Sequence, residues 1–549
     1  MTRFRASNLV LLATGSLLAI SFCIAGLTDD LGEGGVSSIS ESDLRSTVAF
    51  LASEELQGRR PGSPFGRVAS RYLAHRFQLL GLEPAGDGDS YFQHFRLVRM
   101  ELGERNSLEI RLPDGASPRK PELFSEFCPD PLSARGPSRG PVVFAGYGIV
   151  APELGYDDYD GLDVRDRVVM VVRHEPGEKD PESPFQGVVA TEHSLTREKI
   201  LRAQERGAAG VLLAPHALHH TQRRGLKRLA RYFWPEQGLT RRHSLEIWSD
   251  AVTIPVHYVS AELADSMLET QGTTLKEIQQ KIDRDYRPQS LVLEGVEARL
   301  ESETAPHTTE VRNVLATLPG VDPRLNQEVV VVGAHFDHLG ADQGEVYYGA
   351  DDNASGTAGL LEIAEAFARN TQGPRRSVLF AGWDAEESGL LGSYYYVARP
   401  TYPLERTVAK FQMDMIGRDQ EVPDSQDRRF QGLEQQSAKQ NRNSVNVLGY
   451  SRSSDLRDRV REANRRVGLE LRFRYDDHAM SLIRRSDHWP FLAHGVPAAL
   501  FHTGLHPDYH RTSDTVDKLN FAKMEKVTRL VYLTARRTAD AVSKPRLNP

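Results

Sequence analysis

Glu328-Val-Val-Val-Val-Gly-Ala-His335-Phe336-Asp337 decides the reading of this chain. The run is apolar without alternation, so the strand it forms is buried on both faces. That is the habit of a parallel sheet covered by helices on each side. The run ends on a histidine and an aspartate. Residues two apart on a strand share a face, so Asp337 can accept the second ring N–H of His335, which fixes its tautomer and strengthens it as a metal ligand.

Other segments further along repeat the pattern. Ser377-Val-Leu-Phe-Ala-Gly-Trp383 runs into Asp384-Ala-Glu386-Glu387-Ser-Gly389, and 408–413 runs into Asp414. Ala498-Ala-Leu-Phe501 precedes Tyr509-His510. Helical spacing over 356–369, 455–467 and 521–542 separates these strands. The fold class that follows is α/β, with a mostly parallel central sheet flanked by helices. In such sheets the site lies at the carboxyl ends of the strands, where His335, Asp352, Glu387, Asp414 and His510 fall.

Two imidazoles and three carboxylates suit a hard-to-borderline divalent metal. Five ligands are one more than a closed structural zinc site needs. Two metals sharing one carboxylate would use them all, and Gly349-Ala-Asp351-Asp352-Asn353-Ala-Ser-Gly356 offers that carboxylate between small residues that permit close approach. A plain helix cap at Asp351 or Asp352 is the alternative, but it does not account for those small residues. Glu386 is left over beside the metal, in the position of a general base. His488, His502 and His506 are rival ligands to His510. The sequence contains no His-Glu-x-x-His, which argues against a single-metal protease of that kind.

The 549 residues exceed one ordinary domain. With 39% hydrophobic and 26% charged residues the chain is globular, and a net charge of −7 argues against a nucleic-acid partner. Cys23 and Cys128 are the only cysteines, so neither a disulfide framework nor a thiolate metal site is expected. Residues 1–26 read as a signal peptide or an N-terminal membrane anchor: Arg3 and Arg5 precede an apolar run, and cleavage after Ala25 is compatible with it. The expected location is outside the cytoplasm: periplasmic, extracellular or membrane-anchored. Residues 38–125 form the first part of the main domain, with helices near 44–51 and 67–80; Val68, Tyr72, Leu73, Phe77 and Leu80 share the helical spacing of the second. Residues 126–304 form an inserted mixed α/β unit, and 305–545 complete the main domain. The polar stretch 418–443 interrupts the alternation as a surface insertion, either disordered or a lid.

His-x-Asp, Ala-Asp-Asp-Asn-Ala-Ser-Gly, Asp-Ala-Glu-Glu-Ser-Gly, Met-Asp-Met-Ile-Gly and Tyr-His-x-x-x-Asp-Thr follow one another in this order. Together they resemble the two-zinc aminopeptidase family of bacterial leucyl aminopeptidases and glutamate carboxypeptidase. The likeness spans roughly 310–540. Leu51-Ala-Ser-Glu-Glu-Leu-Gln-Gly-Arg-Arg-Pro-Gly62 is similar to the N-terminal segment of these enzymes, and the middle unit resembles their protease-associated domain. The resemblance implies a zinc-dependent exopeptidase of phosphorylase/hydrolase-like fold. Two Zn²⁺ per chain would be bridged by Asp352, with His335 and Asp414 completing one and Glu387 and His510 the other. It also implies that Glu386 is the base, that Asp337 supports His335, that Tyr509 assists the transition state, that a hydroxide bridges the metals, and that the substrates are peptides cut at the N-terminus. A carboxypeptidase of the glutamate carboxypeptidase type is the alternative. It would need a basic pocket, for which Arg484 and Arg485 are candidates. A non-catalytic peptide-binding protein is a further alternative, disfavoured because every ligand position is intact.

Overall fold

The computed structural model of the protein describes residues 33–113, 115, 117–218, 225–234 and 243–548. The signal peptide or anchor read at 1–26 lies outside them. Among the described residues no helix is long and apolar enough to cross a membrane.

Among the described residues the central sheet has ten strands. Eight are labelled here: β1 (Phe92–Leu102), β2 (Thr304–Leu318), β3 (Val329–His335), β4 (Ser377–Trp383), β5 (Thr407–Met413), β6 (Ser444–Leu448), β7 (Glu470–Arg472) and β8 (Ala498–His502). Their order is β1-β2-β4-β3-β5-β8-β6-β7, with Ser244–Leu245 beyond β1 and Glu83–Pro84 beside β2. The centre, β4-β3-β5-β8, is parallel. The β1-β2, β2-β4 and β8-β6 ladders flanking it are antiparallel. The four-valine strand therefore sits in the middle of the parallel part, and each of its residues is buried.

Alternate residues of β3 serve different layers. Val330, Val332 and Ala334 join a core with α1 (Glu41–Leu51), α2 (Pro64–Leu79), α3 (Gly356–Arg369), α4 (Ser454–Asn464) and α5 (Phe521–Asp540). Val329 and Val331 join Trp383, Tyr396 and Phe491 on the opposite face. Ser40 and Ser63 start α1 and α2 by accepting the amides of Asp43 and Gly66, leaving fewer orphan donors at each end. On α2 the buried face is Ala69, Leu73 and Phe77, whereas Val68, grouped with it by spacing, is 46% exposed.

Among the described residues the inserted unit has its own seven-stranded sheet, ordered Ser107–Arg111, Leu291–Ser302, Gly136–Phe144, Val168–Val172, Gly210–Ala214, Val256–Val259, Phe127–Pro129. Sheet membership differs from the division drawn on the sequence at two places. Ser244–Leu245, placed there with the inserted unit, pairs with β1 of the central sheet. Ser107–Arg111, placed there with the first domain, pairs with Leu291–Ser302 in the second sheet. The insertion opens between β1 and β2, whose ends Leu102 and Thr304 are themselves paired. It also packs back on the main domain. Val189 is buried in the core that holds Trp383 and Phe491. Arg484 donates to the Ala190 carbonyl at 2.9 Å, and the Trp489 indole donates to Glu192 Oε1 at 3.0 Å.

The polar stretch 418–443 is ordered, not a disordered insertion. Val422, Phe430 and Leu505 cluster against Leu433 and Tyr509. The Arg429 guanidinium donates to the carbonyls of Pro507 and Tyr509 at 3.1 and 2.6 Å, clasping the segment that carries His510.

Candidate active site

His335, Asp414 and the loop of Glu386 and Glu387 leave the carboxyl ends of three adjacent parallel strands, β3, β5 and β4. Asp352 enters from the turn before α3, and His510 from the segment after β8. The turn needs its small residues. A Cβ on Gly349, whose φ is +58°, would lie 2.2 Å from the Asp352 carbonyl oxygen. One on Gly356 would lie 2.3 Å from Asn353 Oδ1 and 2.6 Å from the Met413 carbonyl oxygen.

Asp352 stands between two imidazoles. Its Oδ1 is 3.4 Å from His335 Nε2, and its Oδ2 is 3.1 Å from His510 Nε2. Asp414 Oδ1 lies 3.4 Å from His335 Nε2, and Glu387 Oε2 lies 3.1 Å from His510 Nε2. Glu386 Oε2 is 3.8 Å from His335 Nε2. The five residues read from the sequence as ligands thus meet in two halves that share Asp352, with Glu386 beside the first.

The supports are side chains from neighbouring loops. Asn353 donates to the Met413 carbonyl and accepts the Met415 amide, which brackets Asp414. Asp514 accepts the amides of Asp351 and Asp352. Thr357 donates to the His335 carbonyl. Asp337 is fully buried, but its carboxylate lies 3.6 Å from His335 Nδ1, beyond a good hydrogen bond. It accepts instead the amides of Glu386 and Glu387, at 3.1 and 3.3 Å, and so anchors the loop that carries them. Tyr509 stacks on His510 with ring centroids 3.8 Å apart and faces the same cavity.

The rival histidines are elsewhere or differently engaged. His506 pairs with Asp351 at 3.3 Å, His502 accepts the Gly504 amide, and His488 is buried at the start of Trp489–Ala493. Burial, followed by nearby Lys410, pushes the His488 imidazole down to about 3. Two residues escaped the sequence reading. His338 is buried and its Nδ1 lies 2.7 Å from Glu387 Oε1, within reach of the same half-site as His510. The signal was available, since His338 follows Asp337 directly. The second is Arg59. Its buried guanidinium donates to the carbonyls of Phe336, Tyr348 and Gly349, and to Leu51 on α1. It thereby ties the His335 loop to the Asp352 turn. Burial lowers it to about 10, against the pull of Asp337, Asp352, Asp514 and Glu387. Arg59→Met should cost about 3–5 kcal/mol, the scale for removing one member of a buried charged set, seen as a lower denaturant midpoint in urea unfolding.

The electrostatics ask for a cation. Burial pushes the Glu386 carboxyl well up, and Asp414, Glu387 and Asp487 add to the rise. Burial also opposes charge on His510, yet Glu387 and Asp352 raise its imidazole to about 11. Glu387 falls to about 2 because His510 and His338 outweigh burial and Asp352. Carboxylates packed this closely hold protons on the neighbouring imidazoles unless metal ions supply the charge. His335 Nε2, buried and without a hydrogen-bond partner, points among them. His335, Glu386 and Asp414 present ligand atoms within 4.8 Å of one another, and so do His338, Asp352 and Glu387. The donor set fits divalent metal.

Such a cluster at the carboxyl ends of a parallel sheet defines an α/β protein with a divalent-metal centre. The profile of peptidase family M28 matches residues 313–535. The uncharacterized protein YfbL of Escherichia coli (strain K12) is 30% identical over 250 residues, covering 42% of this chain and 72% of YfbL. The chain belongs to peptidase family M28. Aminopeptidase YwaD of Bacillus subtilis (strain 168) is 26% identical over 226 residues, 40% of this chain and 43% of YwaD, so the match spans less than half of that relative. Among solved structures, the aminopeptidase from Aneurinibacillus sp. strain AM-1 is 19% identical, with 94% of this chain and 98% of that one covered at a TM-score of 0.47.

Proposed function

We propose that the protein is a zinc-dependent aminopeptidase that holds two Zn²⁺ per chain and removes N-terminal residues from peptides. The observation that carries this is Asp352, whose two oxygens face two different imidazoles, His335 and His510. His335 and Asp414 would hold one ion and Glu387 and His510 the other, with Asp352 shared and His338 fixing Glu387. Bound zinc supplies Lewis acidity that lowers the pKa of water and polarises a scissile carbonyl. Glu386 takes a proton from water and returns it to the leaving amine. Asp337 keeps Glu386 and Glu387 aimed through their backbone amides, and Tyr509, stacked on His510 at the cavity, would assist the carbonyl oxygen as it gains charge.

The aminopeptidase reading is supported by the activity named for YwaD and by the cavity at the site. Met415, Leu433, Leu448, Leu482, Leu500 and Leu505 give it apolar walls suited to a hydrophobic N-terminal side chain. The insertion reads as a protease-associated domain, and residues 1–26, read as a signal peptide or an N-terminal anchor, support a periplasmic, extracellular or membrane-anchored location. Hydrolysis of aminoacyl-p-nitroanilides is expected to be fastest with leucine, to vanish on chelation and to return with zinc. Absence of turnover on every free-amine substrate in zinc-loaded protein would overturn the aminopeptidase reading in favour of a carboxypeptidase, assayed with N-blocked dipeptides.

A further inference from the structure

Arg484 and Arg485 are adjacent in sequence but face different parts of the molecule. Leu482–Arg484 is a 3₁₀ turn with Arg485 at its end. Side chains three apart on such a turn eclipse one another. Leu482 and Arg485 accordingly line the same site cavity, together with Asp352, Glu386 and His510. Arg484 points the other way. It donates to the Ala190 carbonyl, lies 3.5 Å from Glu192, and stacks its guanidinium over Trp489 at 4.8 Å. The inserted unit thus uses up Arg484 and fixes the turn, leaving Arg485 presented to the cavity.

Arg485 is exposed and has no ion-pair partner among the described residues. The cavity's Asp352, Glu386, Asp414 and His510 belong to the metal cluster, and its other walls are mostly leucine, methionine and tyrosine, with Gln420 and His502 as the uncharged polar members beside Arg485. An apolar pocket with one unengaged guanidinium has a definite preference. It takes an uncharged side chain, accepts one that ends in a carboxylate, and repels one that ends in an ammonium.

We propose that Arg485 is a specificity-determining residue that makes the substrate pocket discriminate by charge, admitting acidic side chains and rejecting basic ones. This rests on the aminopeptidase reading of the same cavity. Glu192 of the insertion acts as a positioning residue for it, through Arg484.

The test is calorimetric binding of free L-leucine, L-glutamate and L-lysine to the zinc-loaded full chain, which needs no turnover. L-Glutamate is expected to bind more tightly than L-lysine. Arg485→Glu should shift the ratio of the two affinities toward lysine by about tenfold or more, the scale of exposed charge pairs made with one ligand and unmade with the other. Arg485→Met should give an intermediate ratio, and zinc content equal to that of the parent serves as the control for an intact site. A ratio in Arg485→Glu within about twofold of the parent, or tighter binding of lysine by the parent, would overturn the proposal. Failure of the aminopeptidase reading shows separately, as absent p-nitroanilide turnover.

Discussion

Glu386→Gln is expected to lower turnover by at least about 10²-fold, the usual contribution of a general acid–base group, while zinc content stays that of the parent. Glutamine keeps the size of the side chain but cannot carry a proton between water and the leaving amine. Glu386 stands 3.8 Å from His335 Nε2, and its loop is held by Asp337 through the amides of Glu386 and Glu387, which the substitution does not touch. The measurement pairs kcat on leucine p-nitroanilide with zinc by elemental analysis. A fall in kcat with zinc lost would make Glu386 a ligand, as its place in the His335–Asp414 group allows. Near-parental turnover would remove it from the mechanism.

Asp352→Asn should have the larger effect on the metal. The carboxylate separates two clusters of ligands and faces an imidazole with each oxygen. An asparagine amide offers one neutral oxygen and turns an N–H₂ toward one half-site, where His510 or His335 already presents a ring nitrogen. Zinc content is expected to fall in that variant and activity with it, and the backbone bracing from Asp514 should preserve the turn. Full zinc occupancy in Asp352→Asn would contradict a shared role.

Much of the architecture could be read directly, for identifiable reasons. Helix α3 and strand β4 begin and end at the residues their apolar patterns suggest, and β3 is shifted by one residue. These elements are buried throughout, so local sequence and final environment agree. Strand β1 and the polar half of β2 were not recognised. They project from the parallel centre as a half-exposed pair, and their stabilising partner lies far away in sequence. The same reason hid Ser107–Arg111. At the site, the residues read as metal-binding were those that end buried strands or sit in glycine-marked turns, because a charge in such a place needs a counterpart. Arg59 gave no such signal. It lies in a turn-rich segment, and only the folded chain shows that its donors satisfy carbonyls of two distant loops. The stretch 418–443 lacks periodicity because it is built of short turns, and a few side chains, Phe430 and Leu433 among them, attach it to the cavity.

The pairing of Leu102 with Thr304 has a consequence for biosynthesis. The β1-β2 ladder closes a loop of about 200 residues, which is entropically costly for an open chain, though the cost grows only slowly with length. The chain leaves the ribosome N-terminus first, and everything needed for the second sheet has emerged before β2 is complete. A unit that has already folded delivers its two ends side by side, so the long loop is closed before the ladder forms. Nascent chains halted far enough past Ser302 for that residue to have left the ribosome should therefore protect the strands Val168–Val172 and Gly210–Ala214 from protease while β1 remains cleavable, the result expected if the insertion starts the assembly of the central sheet.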